Sequence, residues 1–412
     1  MSPTIVPNNV TAHRRATSAI LLGAVFVSAV GDEISLIACM VHLAKIQQSL
    51  LVAALLLLQL APAVLLAPLT GQLLDRRNAG RVLALASLFQ ALVLFAMSTW
   101  PNASVLLVGS AAVGIFGAVS APAAIVLIPV AVGQAFPARA NGLLELSRSA
   151  STLVGPVVGG ALVTAVGIKP ALLVDAVSFA LAAGAIALAR VNRPVEESGQ
   201  AWWKGATDGL RFLARQGDLR ALLPVLIFTV SASAMVNVAT VFFVKGPLHS
   251  DGTVLGLLTA AWGAGALVGA TMASRREWHV PERAVLFAAA AQGLAILLYG
   301  AFTVVGVALV MALCSGVANA YQNIAMRTSV QVRAPEELRG RAHAAAGSVV
   351  NTFFLVGYAV GGAFAATSPQ LTFIVGGAVT LAAGCAGLLR EAQRHRKTPE
   401  GSQAANLLKA EG

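Results

Sequence analysis

Apolar residues in this chain come in long unbroken blocks, not in the one-sided stripes of a water-facing helix. Twelve blocks stand out: residues 19–41, 50–74, 82–99, 105–131, 141–166 and 171–189, then, after a polar gap, 221–244, 253–272, 284–302, 306–325, 342–366 and 371–389. About 20 apolar residues carry a helix once across the hydrocarbon core of a bilayer. Membrane-barrel strands instead alternate in polarity over ~10 residues, and these blocks are apolar on every face. The pattern predicts an all-α membrane protein of twelve transmembrane helices.

The polar gap organises the rest. It divides the blocks into a six-helix bundle in residues 1–189, a cytoplasmic linker at 190–220, and a second six-helix bundle with a cytoplasmic tail in 221–412. Within the linker, Trp203, Ala206, Leu210 and Leu213 recur at helical spacing, with Lys204, Asp208, Arg211 and Arg215 on other faces. That is the pattern of an interfacial amphipathic helix, here a tether between halves. The halves echo one another: Gly155, Gly159 and Gly160 precede Gly357, Gly361 and Gly362 by a constant 202 residues, and Arg139 and Arg341 keep the same offset. The pair Arg76–Arg77 after the second block is matched by Arg275–Arg276 after the eighth. Two pseudo-symmetric six-helix repeats imply an alternating-access transporter.

Composition narrows the class. The chain is 57% hydrophobic and 11% charged, with a mean hydropathy of +0.80, whereas soluble domains carry about 25% charged residues. An excess of Lys and Arg gives a net charge of +11. These cations are parcelled out between blocks instead of forming one face, so nucleic acid is not an expected partner. Of the 28 Lys and Arg, all but Lys45, Lys169 and Lys245 fall on one side of a twelve-span topology. The positive-inside rule then places both termini in the cytoplasm. His13, Arg14 and Arg15 ahead of the first block resemble a signal peptide, but that block is too long for one and reads as an uncleaved first span. Cys39, Cys314 and Cys385 have no metal or disulfide spacing and read as small core residues.

The segment after the second block reads Gly71-Gln-Leu-Leu-Asp75-Arg76-Arg77-Asn-Ala-Gly-Arg81. It resembles the Gly-x-x-x-Asp-Arg-x-x-x-Arg-Arg loop of the major facilitator superfamily. Gly71, Asp75 and Arg76 are in register, Arg81 matches the final basic residue, and Gly80 departs from the one before it. The resemblance implies a cytoplasmic gate in which Asp75 accepts hydrogen bonds from the start of the eleventh helix, expected at Arg341–Ala342. Gly155-Pro156-Val-Val-Gly159-Gly160 resembles the fifth-span signature of that superfamily's drug:proton antiporters. Gly31-Asp32, Arg139-Ala-Asn141, Asp175-Ala-Val-Ser178-Phe179 and the run from Gln331 to Arg341 resemble the branch of macrolide efflux pumps and the enterobactin exporter. The implied setting is a bacterial cytoplasmic membrane. Many such antiporters carry an arginine in span four; block 105–131 has none, and Arg148 is the candidate to stand in for it.

An ionisable group inside a span is a functional candidate by default. Asp32 and Glu33 lie well inside the first block, and neighbours on a helix point ~100° apart. Asp32 shares a stripe with Ser28, Ser35 and Cys39, while Glu33 shares one with Val30, Leu36, Ile37 and Met40. Asp32 is therefore expected to face the cavity and carry the coupling proton, with Glu33 secondary. Asp175 is expected to cap or pack its helix, and Glu145 and Arg148, three apart, to form an intrahelical pair. Gln59, Asn237, Trp262, Asn319, Gln322, Asn351 and Tyr358 are candidates to line the substrate cavity. So apolar a lining suits a hydrophobic or amphipathic drug-like compound; a secreted metabolite such as a siderophore, the alternative cargo, would want basic residues there. No phosphate-binding Gly-x-x-x-x-Gly-Lys loop is present. Gly263-Ala-Gly265-Ala-Leu-Val-Gly269 lies mid-membrane and reads as helix packing, and the histidines lack zinc spacing. The expected partners are a small-molecule substrate, protons and the lipid bilayer, in a monomer that is not an enzyme and needs no cofactor or metal.

Overall fold

The structure, a computed structural model, describes residues 8–132, 137–189, 202–276 and 280–397. Among these are fourteen α-helices and no strand. The first half holds α1 (Asn8–Leu43), α2 (Ser49–Leu65), α3 (Ala67–Arg76), α4 (Ala79–Thr99), α5 (Ala103–Val132), α6 (Pro137–Val166) and α7 (Ile168–Ala189). After α8 (Trp202–Arg215) come α9 (Gly217–Lys245), α10 (Gly252–Ser274), α11 (Pro281–Ala301), α12 (Val305–Arg333), α13 (Glu336–Phe364) and α14 (Pro369–Lys397). Hydrocarbon offers backbone groups no partner, so each crossing must satisfy its own hydrogen bonds as a helix. Eleven helices are long and apolar enough to do so among the described residues.

The remaining crossing is broken. Block 50–74 is two helices, α2 and α3, meeting at Leu66, with Pro62 and Pro68 on either side. Pro68 has no N–H to give the carbonyl four residues back. The Leu66 amide still reaches the Pro62 carbonyl at 2.9 Å and the Thr70 amide the Leu66 carbonyl at 2.9 Å, so the crossing kinks instead of unwinding.

One packing scheme serves both halves. In the first, α1 lies against α6 and α7, α4 against α5 and α7, and α2 against α5. In the second, α9 lies against α13 and α14, α11 against α12 and α14, and α10 against α12. The halves meet where α6 packs on α10 and α2 on α13, two contacts that a pseudo-twofold axis exchanges.

The repeated glycines make these contacts. A β-carbon on Gly159 would stand 2.8 Å from the Ile34 Cα, and one on Gly361 3.0 Å from the Met235 Cα. Gly155 meets the Val30 carbonyl and Gly357 the Ser231 carbonyl in the same way. The third glycine of each set turns to the other half: Gly160 abuts the Gly252 backbone, and Gly362 abuts Ala53 and Leu50. Small residues let membrane helices approach backbone to backbone, where apolar side chains gain nothing over lipid.

At the end of the bundle bearing these cross-contacts, the Lys245 Nζ donates to the Val41 carbonyl at 3.2 Å and the Ser49 hydroxyl to the Gly362 carbonyl at 2.7 Å. Ion pairs tie the opposite end of the second half: Arg333 bridges Asp218 at 3.1 Å and Glu282 at 2.9 Å, and Arg283 meets Glu391 at 2.8 Å.

Several expectations change. α9 starts at Gly217 and α13 at Glu336, both ahead of their apolar blocks, because the helices project past the hydrocarbon as polar turns. Arg341 thus stands inside α13, not at its start. Cys39 is buried, but Cys314 and Cys385 are exposed; they face outward from the bundle and are not core. α8 docks on α13 through buried Leu213 and through Gly209, which abuts the Arg341 carbonyl, while Leu210 stays exposed. Residues 190–201 and the side chains of Trp203, Lys204, Ala206 and Asp208 lie outside the described ones.

Candidate functional site

Asp32 stands midway along the span Ser18–Ile46, yet its side chain is exposed. The exposure is to a cavity of about 150 Å³ that Asp32 lines together with Ser28, Ser87, Ser120, Arg148 and Phe179. Those residues come from α1, α4, α5, α6 and α7, so the cavity lies inside the first half. Asp32 thus faces a cavity inside the first half, not the space between the halves where the substrate cavity was expected. Arg148, on α6, lines the same cavity; Glu145 and Arg139 have side chains outside the described residues.

Glu33 points elsewhere. It is half-buried and accepts a hydrogen bond from the Thr152 hydroxyl of α6 at 3.2 Å. The Thr152 carbonyl in turn lies 3.4 Å from where a β-carbon on Gly263 of α10 would stand. Of the two acids, Glu33 is thus the one beside the contact between halves. The two acids, ~100° apart on the helix, meet different neighbours, and the helical wheel did not say which neighbour each face meets.

A third acid packs against the same helix. Asp175, assigned to capping or packing, is fully buried in α7 with 0% exposure. It meets α1 at Gly31, whose missing side chain leaves room for the Asp175 carboxylate and the Ser178 hydroxyl. Ser178 shares its proton between the Asp175 carbonyl at 2.8 Å and the Asp175 Oδ1 at 3.1 Å. Asp175 is also the foremost charged neighbour of Asp32. The glycine directly before Asp32 is the sequence feature that lets α7 bring this acid so close.

The motif Gly155-Pro156-Gly159-Gly160 binds α6 to two helices at once. Gly155 and Gly159 rest on α1, while Gly160 and the Pro156 carbonyl rest on Gly252 and Gly256 of α10. The gate residues belong to three helices, α3, α4 and α13. Gly71, Asp75 and Arg76 lie on α3, with Arg76 exposed and the Asp75 side chain outside the described residues. Asn78 caps α4, its Oδ1 accepting from the Gly80 amide at 2.9 Å and the Arg81 amide at 3.1 Å. With Arg341 inside α13, the amides that start that helix belong to Glu336 and the residues after it.

The polar residues expected to line a substrate cavity divide. Gln322 is buried and donates to the Thr229 hydroxyl at 3.4 Å, which makes it an α12–α9 tie and removes it from the lining. Asn319 accepts from Asn323 at 3.0 Å on its own helix. Asn237 is exposed and hydrogen-bonds Tyr358 across α9 and α13. Trp262 is 36% exposed on α10; Asn351 and Gln59 are half-buried, and the Gln59 backbone meets Gly114 of α5. Among the described residues no group of His, Cys, Asp or Glu is arranged to hold a metal ion.

Solved transporters share this architecture. A POT family transporter bound to 5-aminolevulinic acid superposes with a TM-score of 0.72 at 11% identity, covering 90% of this chain and 95% of that one. The nucleoside transporter NupG gives 0.69 at 13% identity, with coverage of 90% and 98%. A bacterial homologue of the iron transporter ferroportin, in an inward-facing state, gives 0.64 at 16%, with coverage of 90% and 99%. At such identities the likeness speaks for the fold alone. In sequence, the multidrug efflux pump Tap of Mycobacterium tuberculosis is 28% identical over 389 residues, 90% of this chain and 88% of that protein; Tap of Mycobacterium bovis matches equally. The sequence model of the Major Facilitator Superfamily matches residues 18–352 and 222–411, and with the packing scheme repeated in both halves the chain belongs to that superfamily.

Proposed function

We propose that this protein expels a hydrophobic or amphipathic drug-like compound by alternating access, driven by protons moving the opposite way. The likeness to Tap, a multidrug efflux pump, supports the direction and the cargo class. The observation that carries the coupling is Asp32: an acid midway along an apolar span, opening onto a cavity that also holds Arg148. A carboxylate taken partly out of water loses part of its preference for the charged form, so it can take up and release a proton as its access to water changes. Alternating access requires the halves to part at one end, and the glycine contacts of α6 with α10 and of α2 with α13 are the surfaces that would separate. The arginine-rich end faces the cytoplasm in this reading, with both termini on that side, in a bacterial inner membrane. Asp75, Arg76, Arg81 and Arg341 form the gate of that end.

The test uses everted membrane vesicles and a cationic dye such as ethidium. Acidifying the vesicle interior should drive dye uptake, and collapsing the gradient should stop it. Asp32→Asn should abolish uphill uptake while dye binding survives, and Glu33→Gln should do less. Uptake that ignores the gradient would refute proton coupling. A Glu33→Gln loss beside an intact Asp32→Asn would transfer the proton to Glu33.

A further inference from the structure

We propose that Asp175 is a second coupling residue, which shares one proton with Asp32 and relays it between the closed end of the bundle and the cavity. The inference rests on the proton-driven reading above. Three observations carry it.

The first is position. α1 and α7 run antiparallel, and Phe179 of α7 lines the cavity with Asp32. Asp175 lies about one helical turn beyond Phe179, at the level of Gly31 and of Ser35, whose hydroxyl stands beside its carboxylate. Past that layer come Ile37, Ala38 and Cys39, all buried in the main apolar core. Asp175 is thus the next acid along the path after the cavity stops, with the closed end of the bundle ahead of it.

The second is an unfilled hydrogen-bonding site. Ser178 serves Oδ1, but the buried Oδ2 has no hydrogen-bond partner among the described residues. An ionised carboxylate so placed is costly, whereas a proton on that oxygen removes the charge. Asp32 and Cys39 of α1 bear on Asp175, Glu33 bears on Asp32, and Arg148 of α6 lines the cavity with Asp32; α4 brings no charged residue near, its arginine, Arg81, lying at its start. With one proton between Asp32 and Asp175, the pair carries a single negative charge, beside a cavity that Arg148 also lines. The step is a plain transfer: when the closed end opens, a hydronium ion gives its proton to Asp175 and leaves as water, the O–H bond breaks there as one forms on Asp32, and water entering the cavity carries the proton off as hydronium, inward and opposite to the exported compound.

The third is the repeat. The matching crossing in the second half sets Ala232 of α9 against Gly376 of α14, with 3.4 Å between the alanine methyl and where a glycine β-carbon would stand. The fold closes this crossing with a methyl group, so it does not need an acid there.

The experiment uses the purified full chain in proteoliposomes. Infrared difference spectra through a pH titration report protonated carboxyl groups by their C=O stretch, and a pH-sensitive dye reports protons released when ethidium is added. The wild type should show a buried carboxylic-acid band that disappears in Asp175→Asn and shifts in Asp32→Asn, because a shared proton must then reside on Asp175. Asp175→Asn should lose substrate-triggered proton release. Loss of the band with proton release intact would overturn the assignment, as would a band indifferent to both substitutions. If Asp175→Asn does not fold, the Asp32→Asn spectrum decides alone: an unmoved band refutes sharing. A wild type that moves dye without moving protons defeats the proton-driven reading itself. A wild type that moves both, matched by Asp175→Asn, defeats only the role of Asp175.

Discussion

Gly160→Ala should open the molecule at the end where the halves now touch. The added methyl would meet the Gly252 carbonyl and press toward the Gly256 amide of α10. Both are backbone atoms of a helix, so neither can swing aside, and α6 and α10 must separate. Overpacking by a methyl group costs typically about 1–3 kcal/mol. Here the cost falls only on the state in which the halves are closed at this end, so the balance should move about 5- to 150-fold toward the opposite state. Gly155→Ala is the control: its methyl would stand 2.5 Å from the Glu33 Cβ and 3.0 Å from the Val30 carbonyl, a contact inside the first half and not between the halves. Paired spin labels at exposed Lys45 and Thr367, one on each half at this end, would report the opening as a longer distance. Cys314 and Cys385, both exposed, would first be replaced by alanine. Gly160→Ala should lengthen the distance at unchanged thermal stability, and Gly155→Ala should lower stability at unchanged distance. A Gly160→Ala chain that keeps the wild-type distance but melts early would refute the idea that this glycine serves closure and not folding.

Arg333→Ala should cost about 1–2 kcal/mol of stability, because it strands Glu282, which is 6% exposed, while water screens the half-exposed arginine itself. Arg333→Lys should recover part of the loss, and unchanged melting of the alanine variant in detergent would discount the bridge. Reporter fusions after Arg81, Gln216 and Arg396 should all read as cytoplasmic; an external signal at Gln216, just ahead of α9, would break the topology of six crossings on either side of the linker.

Hydropathy made the crossings legible because lipid tests every face of a helix, and each apolar block contains or overlaps a helix of the structure. It was blind to whatever lies beyond the hydrocarbon. The polar first turns of α9 and α13, at Gly217 and Glu336, carry no apolar signal, so the start of α13 was put at Arg341 and the gate's geometry with it. The kink at Leu66 was open to inspection in Pro62 and Pro68, but the run's uniform apolarity masked it. The helical wheel distinguished Asp32 from Glu33, since their angular separation is a local property. It could not supply Asp175, which reaches Asp32 only through the long-range crossing of α1 with α7. Nor could it tell that Gln322 spends its amide on Thr229, because a polar residue in a span looks the same whether it meets a substrate or a neighbour.

α6 joins the acids to the seam between the halves. Along roughly three turns it presents Arg148 to the cavity of Asp32, Thr152 to Glu33, Gly155 and Gly159 to α1, and Gly160 to α10. Against α1, Gly159 rests on the Ile34 backbone and Gly155 on the Val30 carbonyl and the Glu33 Cβ, with little interlocking of side chains, so sliding α6 along α1 breaks few specific interactions. Thr152 to Glu33 is a polar tie between the helices there, and a carboxylate holds that hydroxyl more strongly than the neutral acid does. The charge on Glu33 therefore sets how firmly α6 is held against α1, and α6 carries that difference directly to Gly252 and Gly256. Thr152→Val isolates this link, since it removes the tie but leaves all three acids and every glycine contact in place. Proton release on adding ethidium should then persist while the label distance between the halves no longer follows it. Proton release and distance that stay locked together in Thr152→Val would show that the acids reach the seam by a route other than α6.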